Sequence, residues 1–264
     1  MKKSSQKPEA KAGEPVGEVN LSVRKAMRIL RLISAADSGL NLKQIAAAAE
    51  ESTTVCHRLL HTLVHEQMLD KDTDTGRYRL SSSVVQMARS AQNQNPISKR
   101  TAHFLAEITR ETEDVALLYV RDGDIALCID RVEGVYPITT TGTQIGTRWP
   151  LHCGAGPFAM LANSNDAFIE RYLRGSLTQV TPKTVTDPTV IMRQIRKVRT
   201  QGYAVSDGDL FDHVVAVGAA ILSPSGEAIA AISVGAIKSR YDQNRIKKLG
   251  ERLRDAVQGL SRAF

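Results

Sequence analysis

The chain has 264 residues, 42% of them hydrophobic, and a net charge of +7. That suffices for two domains with buried cores and excludes a chain disordered throughout. Three cysteines at irregular spacing, Cys56, Cys128 and Cys153, argue against a disulfide framework or a structural zinc site. No apolar run is long enough to span a bilayer or to act as a signal core. A cytoplasmic protein with no membrane association and no cofactor is expected.

Residues 1–18 are Lys, Glu, Ser, Pro and Gly with almost nothing to bury, which predicts a disordered tail. A first helix is expected after Ser22 as N-cap, with Val23, Ala26, Met27, Leu30 and Ile33 on its buried face. A second opens at Asn41-Leu42-Lys43-Gln44, a capping-box pattern, and buries Ile45, Ala46 and Ala49. After Glu50-Glu51-Ser52, a third helix places Cys56, Leu59, Leu60 and Leu63 at i, i+3, i+4 and i+7. Its other face carries Thr54, His57, Arg58, His61 and His65, with no acid before Glu66. Such side chains reach base edges and phosphates in a major groove. Taken alone, that face is also what an ordinary solvated helix presents.

The neighbouring elements favour DNA. Met68-Leu69-Asp70 and Arg77-Tyr78-Arg79-Leu80 flank a turn at Asp72–Gly76, so a hairpin with Lys71, Arg77 and Arg79 follows the third helix as the wing of a winged helix-turn-helix. Residues 21–95 hold ten basic and seven acidic side chains, a small excess that suits a polyanion partner. The DNA-contacting set is Thr53, Thr54, His57, Arg58, His61, Thr62, Arg77 and Arg79. Val84, Val85, Met87, Ala88 and Ala91 then predict a linker helix over 82–96, with the domain boundary near Pro96.

The second half, 97–264, reads as a helix to about Glu113 and a hairpin of Val115–Val120 and Ile125–Arg131. A strand at Ile138–Thr141, a helix after Pro150 and helices near 166–173 and 187–201 follow. Strands at 203–206, 214–222 and 229–234 precede a closing helix over 242–260. Hairpins dominate, so the fold class is α+β, a mainly antiparallel sheet covered by helices, which suits a small-molecule sensor.

Over nearly its whole length from Leu21, the chain resembles the IclR family of bacterial transcription regulators. Thr54–Leu63 is similar to the family's recognition helix, Asp74–Leu80 to its wing and Pro150-Leu151-His152 to the start of its sensor helix. The spacing from Gly202 through Ser206, Asp209, Ala216, Val217 and Gly218 to Ile221 is similar to its signature. The resemblance implies a GAF-like effector domain and a homodimer or dimer of dimers on a palindromic double-stranded DNA operator; it leaves repressor and activator both open. Glu50-Glu51-Ser52 stands where Gly-Leu-Pro is usual, placing carboxylates near DNA, and Gln67 stands where Gly is common. By the same resemblance, a small organic acid effector meets Ala155, Gly156, Ser206, Asp209, Ala216, Ser233 and Gly235. Ser206, Ala216 and Gly235 replace a usual Asp, Cys and Ser. Fewer polar groups and more room point to an aromatic or largely apolar carboxylate, its polar end held by Ser233 and the amides near Ala155 and Gly156.

The competing reading is an enzyme on the same domain. His152 and Cys153 are a conceivable base and nucleophile, and Asp207, Asp209, Asp212 and His213 a conceivable metal or acid–base cluster. Adjacent helical residues point about 100° apart, so His152 and Cys153 cannot easily face each other. The acids lack regular ligand spacing. No catalytic residue and no metal ligand is therefore assigned.

Overall fold

The structure, a computed structural model, describes residues 19–136 and 142–262. The expectations for the tail at 1–18 and for a strand at Ile138–Thr141 lie outside the described residues. Two compact units meet at Ser90/Ala91.

In the first unit, α1 (Leu21–Ser34) starts two residues earlier than the sequence suggests: Asn20, not Ser22, is the N-cap, its side chain accepting from the Ser22 and Val23 amides. Ile29 and Ile33 are the buried residues of α1, whereas Val23 and Met27, expected inside, are exposed. α2 (Leu42–Ala49) has the expected capping box: Gln44 N–H donates to Asn41 Oδ1 and Asn41 N–H to Gln44 Oε1, both at 3.0 Å. α3 (Thr53–His65) is capped by Ser52 and buries Cys56, Leu60 and Leu63 against Ile29, Ile33, Ile45 and Ala49. β1 (Leu40–Asn41), absent from the sequence reading, pairs with β3 (Arg77–Leu80), which pairs with β2 (Leu69–Lys71). α4 (Ser82–Gln94), whose sequence contains the division at Ser90/Ala91, is a helix as the sequence suggests, yet buries none of its residues.

In the second unit, α5 (Pro96–Thr112) leads into β4 (Val115–Asp122) and β5 (Ile125–Val132). Then come β6 (Arg148–Pro150), α6 (Ala155–Ala162), α7 (Asp166–Leu173) and α8 (Pro188–Gln201). β7 (Ala204–Asp207), β8 (Val214–Leu222), β9 (Ala228–Ile237) and α9 (Gln243–Ser261) complete it. The strands form one antiparallel sheet in the order β6-β5-β4-β9-β8-β7. Alternating residues feed two cores. Leu117, Tyr119, Ala220 and Ala231 meet α6, α7 and α8 on one face; Leu118, Val217, Ala219 and Ile232 meet α5 and α9 on the other. The expectation that a helix begins at Pro150-Leu151-His152 is corrected here: Pro150 ends an edge strand paired with Ile125, and the helix begins at Ala155.

All eight residues of α6 are buried, and two glycines allow it to sit so close to the sheet. A Cβ on Gly218 of β8 would lie 2.7 Å from the Ala155 carbonyl carbon and the Gly156 nitrogen, and one on Gly156 would lie 2.7 Å from the Tyr119 ring. The N-terminus of α6 is thereby pressed onto β4, β8 and β9.

Candidate functional site

The first unit offers an exposed helix face. Thr53, Thr54, His57, Arg58, His61 and Thr62 are all exposed on α3, opposite the Cys56–Leu60–Leu63 stripe that holds the helix in its core. Arg58 and Thr62 line one side of a groove of about 500 Å³ between α1 and α3, and the Thr62 hydroxyl donates to the Arg58 carbonyl at 3.1 Å. The carboxylates before α3 have partners on α1: Glu51 lies 2.8 Å from Lys25 Nζ, and Glu50 lies 3.6 Å from Arg28.

The wing is held differently from what its charges suggest. Arg77 is half-buried and donates to the Gly39 carbonyl at 2.8 Å and the Ser38 hydroxyl at 3.3 Å, so its guanidinium braces the loop before α2. Arg79 pairs with Asp72 at 3.3 Å. Asp72 also accepts from the Thr75 and Asp74 amides, and these bonds, the Thr75 one foremost, hold its carboxyl below the usual carboxylate range.

In the second unit, strand register brings distant residues together under α6. Ser206, Ala216 and Gly235 are consecutive partners across β7, β8 and β9, and Ser233 pairs with Leu117 of β4. With Ala155, Gly154, Leu210 and Phe211 they line a cavity with open space of about 20 Å³. That is room for about one water molecule. Five of the seven predicted effector residues therefore share one cavity; Gly156 and Asp209 stand beside it.

The cavity has two polar poles. At one, the Asp209 carboxylate accepts the Gly154 amide at 3.0 Å and a short bond from the Ser206 hydroxyl. The amide that precedes the two anticipated donors, Ala155 and Gly156, is thus occupied from within the chain. At the other pole Tyr119 stands with Thr143 and Ser233 in the cavity lining, and burial pushes the phenol pKa up. Trp149 Nε1 donates to Thr143 Oγ1 at 3.0 Å, while Arg131, its side chain almost fully buried, donates to the Thr143 carbonyl. Tyr119, Thr143 and Phe211 are not singled out by the sequence, where the first falls within the Val115–Val120 strand and the other two between predicted elements.

His152, Cys153, Asp207 and Asp209, four of the groups considered for catalysis, are engaged in contacts that hold the fold. A carbonyl only accepts, so His152 Nε2 must donate to Thr178 O at 2.9 Å, leaving Nδ1 to accept from the Tyr172 hydroxyl at 2.7 Å. Burial lowers the pKa of this imidazole. The Cys153 thiol is buried and pushed up to about 12, first by burial and then by Asp209, so it is no nucleophile at neutral pH. Asp207 is paired with Lys238 at 2.8 Å. Among the described residues no three His, Cys, Asp or Glu side chains gather as a metal site, and no helix is long and apolar enough to cross a membrane.

Comparison with known proteins decides the family. The C-terminal domain of bacterial IclR transcriptional regulators matches residues 89–262, and the IclR helix-turn-helix domain matches residues 22–73. The chain belongs to the IclR family. The transcriptional regulator KipR of Bacillus subtilis is 28% identical over 244 residues, covering 92% of this chain and 96% of that protein. An IclR regulator from Alicyclobacillus acidocaldarius superposes with a TM-score of 0.84 at 24% identity, covering 92% of this chain and 98% of that one. An IclR homologue from Microbacterium hydrocarbonoxydans, solved with 4-hydroxybenzoate, superposes with a TM-score of 0.78 at 18% identity, covering 92% and 100%. This IclR-family protein is accordingly a DNA-binding transcription regulator with a helix-turn-helix and an effector domain, not an enzyme.

Proposed function

We propose that this regulator acts in the cytoplasm as at least a dimer on a two-fold symmetric operator, and that a small, largely apolar organic acid controls its hold on DNA. Residues 19–81 form the DNA-binding domain, 82–96 the linking helix and 97–264 the effector domain. Thr53, Thr54, His57, Arg58, His61 and Thr62 meet the major groove; Arg79, and Arg77 through its bracing of the loop, serve the wing. The exposed, acid-free face of α3 carries this reading. Two half-sites are needed because one helix-turn-helix reads too few base pairs for selectivity.

For the effector, the support is the cavity under α6 and a relative crystallised with 4-hydroxybenzoate. A pocket for such a ligand needs at least about 300 Å³. The cavity, about 20 Å³, cannot hold one until its walls move apart. An effector that binds only the opened form shifts the population toward it, and by linkage effector and DNA alter each other's affinity. The test is a gel shift on the DNA upstream of the protein's own gene, with aromatic and short-chain acids titrated in. A change of operator affinity with an aromatic acid supports the reading; a response to glyoxylate or pyruvate alone overturns the effector class.

A further inference from the structure

A second groove lies between α8, β7 and the loop after α7, with open space of about 260 Å³ against about 20 Å³ in the α6 cavity, so it takes a small molecule without any movement of its walls. α8 lends it Gln194, Lys197, Val198 and Gln201, spaced i, i+3, i+4 and i+7 along one face. Lys183 comes from the loop, which is pinned to the turn after β7: the Thr181 hydroxyl donates to the Gly208 carbonyl at 2.7 Å and the Thr184 hydroxyl to the Asp209 carbonyl at 2.6 Å. The Lys183 side chain lies across Gly208, where a Cβ would stand 2.8 Å from its Nζ. The acids of the lining are already bonded. Asp207 holds Lys238 with both oxygens at 2.8 Å, and Asp209 holds the Gly154 amide and the Ser206 hydroxyl. Among the described residues neither Lys183 nor Lys197 has an acidic partner, and the Gln194 carboxamide has no hydrogen-bond partner.

We infer that this groove is a second ligand-binding site and that its ligand is a small phosphate monoester. Two ammoniums match the charge of about −1.5 to −2 that such an ester carries at neutral pH, and with the Gln194 carboxamide they supply donors for its three phosphoryl oxygens. Lysine serves phosphate as a point charge and needs no fixed fork geometry. Phe158, Val185 and Val198 give the carbon end an apolar wall. A monocarboxylate brings a single charge and two oxygens, so it leaves one lysine unmatched. The site is separate from the α6 cavity but shares a wall with it: Asp209 lines the groove, while Gly154 and Ser206, which Asp209 holds, line the cavity. A dianion beside Asp209 therefore bears on the cavity and, by linkage, on operator affinity.

Calorimetric titration of the full-length protein with glycerol 3-phosphate, inorganic phosphate, succinate and glycerol tests this. Glycerol 3-phosphate should bind tightest of the four, and more weakly as salt rises. Both lysines are exposed, so Lys183→Met and Lys197→Met should each weaken it by about 3- to 5-fold and the double variant by about 10- to 25-fold. Lys247→Met, which removes the same charge from α9, should leave it unchanged. In gel shifts, saturating glycerol 3-phosphate should change the operator affinity of wild type and not that of the double variant. No binding of the ester at millimolar concentration, binding of succinate or inorganic phosphate as tight as that of the ester, or an unchanged affinity in the double variant overturns the site. Binding that follows the two lysines yet leaves operator affinity unchanged overturns the coupling to DNA while the site stands.

Discussion

Lys25 Nζ lies 2.8 Å from the carboxylate of Glu51, which ties the first helix to the turn that launches the recognition helix. The pair is only partly exposed, at 36% and 21% for the two side chains. Solvent screens such a contact, so Glu51→Gln should lower stability by no more than about 1 kcal/mol. Urea denaturation of the wild type, Lys25→Met, Glu51→Gln and the double variant should give a coupling that shrinks at high salt. A coupling that salt leaves unchanged would show that the contact is packing, not charge.

Two departures from the usual family sequence fall on left-handed backbone. Glu50, the C-cap of α2, has φ 53°, and Gln67, just after α3, has φ 57°. L-residues are disfavoured there by about 1–2 kcal/mol and glycine is not. Part of that gain is returned because glycine loses more freedom on folding. Gln67→Gly should thus stabilise the protein by about 0.5–1 kcal/mol, seen as a higher denaturation midpoint. A lower midpoint would mean that the Gln67 side chain supports the hairpin beyond its carbonyl, which accepts from the Ser81 and Ser83 hydroxyls.

The helix-turn-helix was legible because its signals are local: the Asn41/Gln44 box and the Cys56–Leu60–Leu63 stripe lie within single helices. The cap of α1 was not, since Asn20 and Ser22 are both residue types that cap helices and only the Asn20 bonds to the Ser22 and Val23 amides tell them apart. β6 escaped because three residues ending in proline form a strand only through their pairing with β5. The effector residues on β7, β8 and β9 could be placed by family spacing, whereas the lock between Asp209 and Gly154 joins residues from separate elements and leaves no periodic trace. Tyr119 reads as one more strand residue until the register, which pairs it with Ala231 and Leu117 with Ser233, sets it diagonally across from Ser233.

His152 should make stability depend on pH. Its folded pKa is lowered, chiefly by burial, so the unfolded chain takes up a proton first as pH falls. The neutral imidazole's contribution is complete above the unfolded value of about 6.5 and is lost as pH drops through that value toward the lower folded one. His152→Asn should cost stability at pH 7.5, because the Tyr172 and Thr178 groups lose their partner, yet flatten the slope below pH 6.5. An unchanged slope in chemical denaturation from pH 7.5 to 5 would assign that pH dependence to other groups.

Asp114 is buried under a pair of arginines: Arg240 at 2.6 Å, Arg245 at 3.4 Å and the Tyr241 hydroxyl at 2.9 Å. Arg240 also stacks 3.8 Å from the centroid of the Tyr136 ring, so it is fixed from two sides. Removing the carboxylate charge weakens this contact while Glu113, 3.5 Å from Arg240, and the Thr112 carbonyl remain, so the loss is that of a hydrogen bond to a charged group, about 1.5–3 kcal/mol. Asp114→Asn should therefore lower the melting temperature of the effector domain by several degrees. Far-ultraviolet circular dichroism at low temperature should still show a folded chain.

Arg58 and Arg77 should fail in different ways on DNA. Arg58 is exposed on α3. If it reads a guanine by a bidentate pair, Arg58→Ala should cost about 1–3 kcal/mol of discrimination between the operator and a site altered at that base, with stability unchanged. Arg77 holds the Gly39 carbonyl, at a glycine whose φ of 70° and contact with the Tyr78 carbonyl admit no side chain. Arg77→Ala should loosen that loop, lower stability by about 1–2 kcal/mol and weaken binding about equally on every sequence. Arg79→Ala serves as the comparison: its partner Asp72 is on the same hairpin, so the fold should hold while the salt dependence of binding becomes shallower. Gel shifts at three salt concentrations, read beside urea denaturation of each variant, separate the three roles. A specificity loss in Arg77→Ala with wild-type stability would move base reading from the helix to the wing.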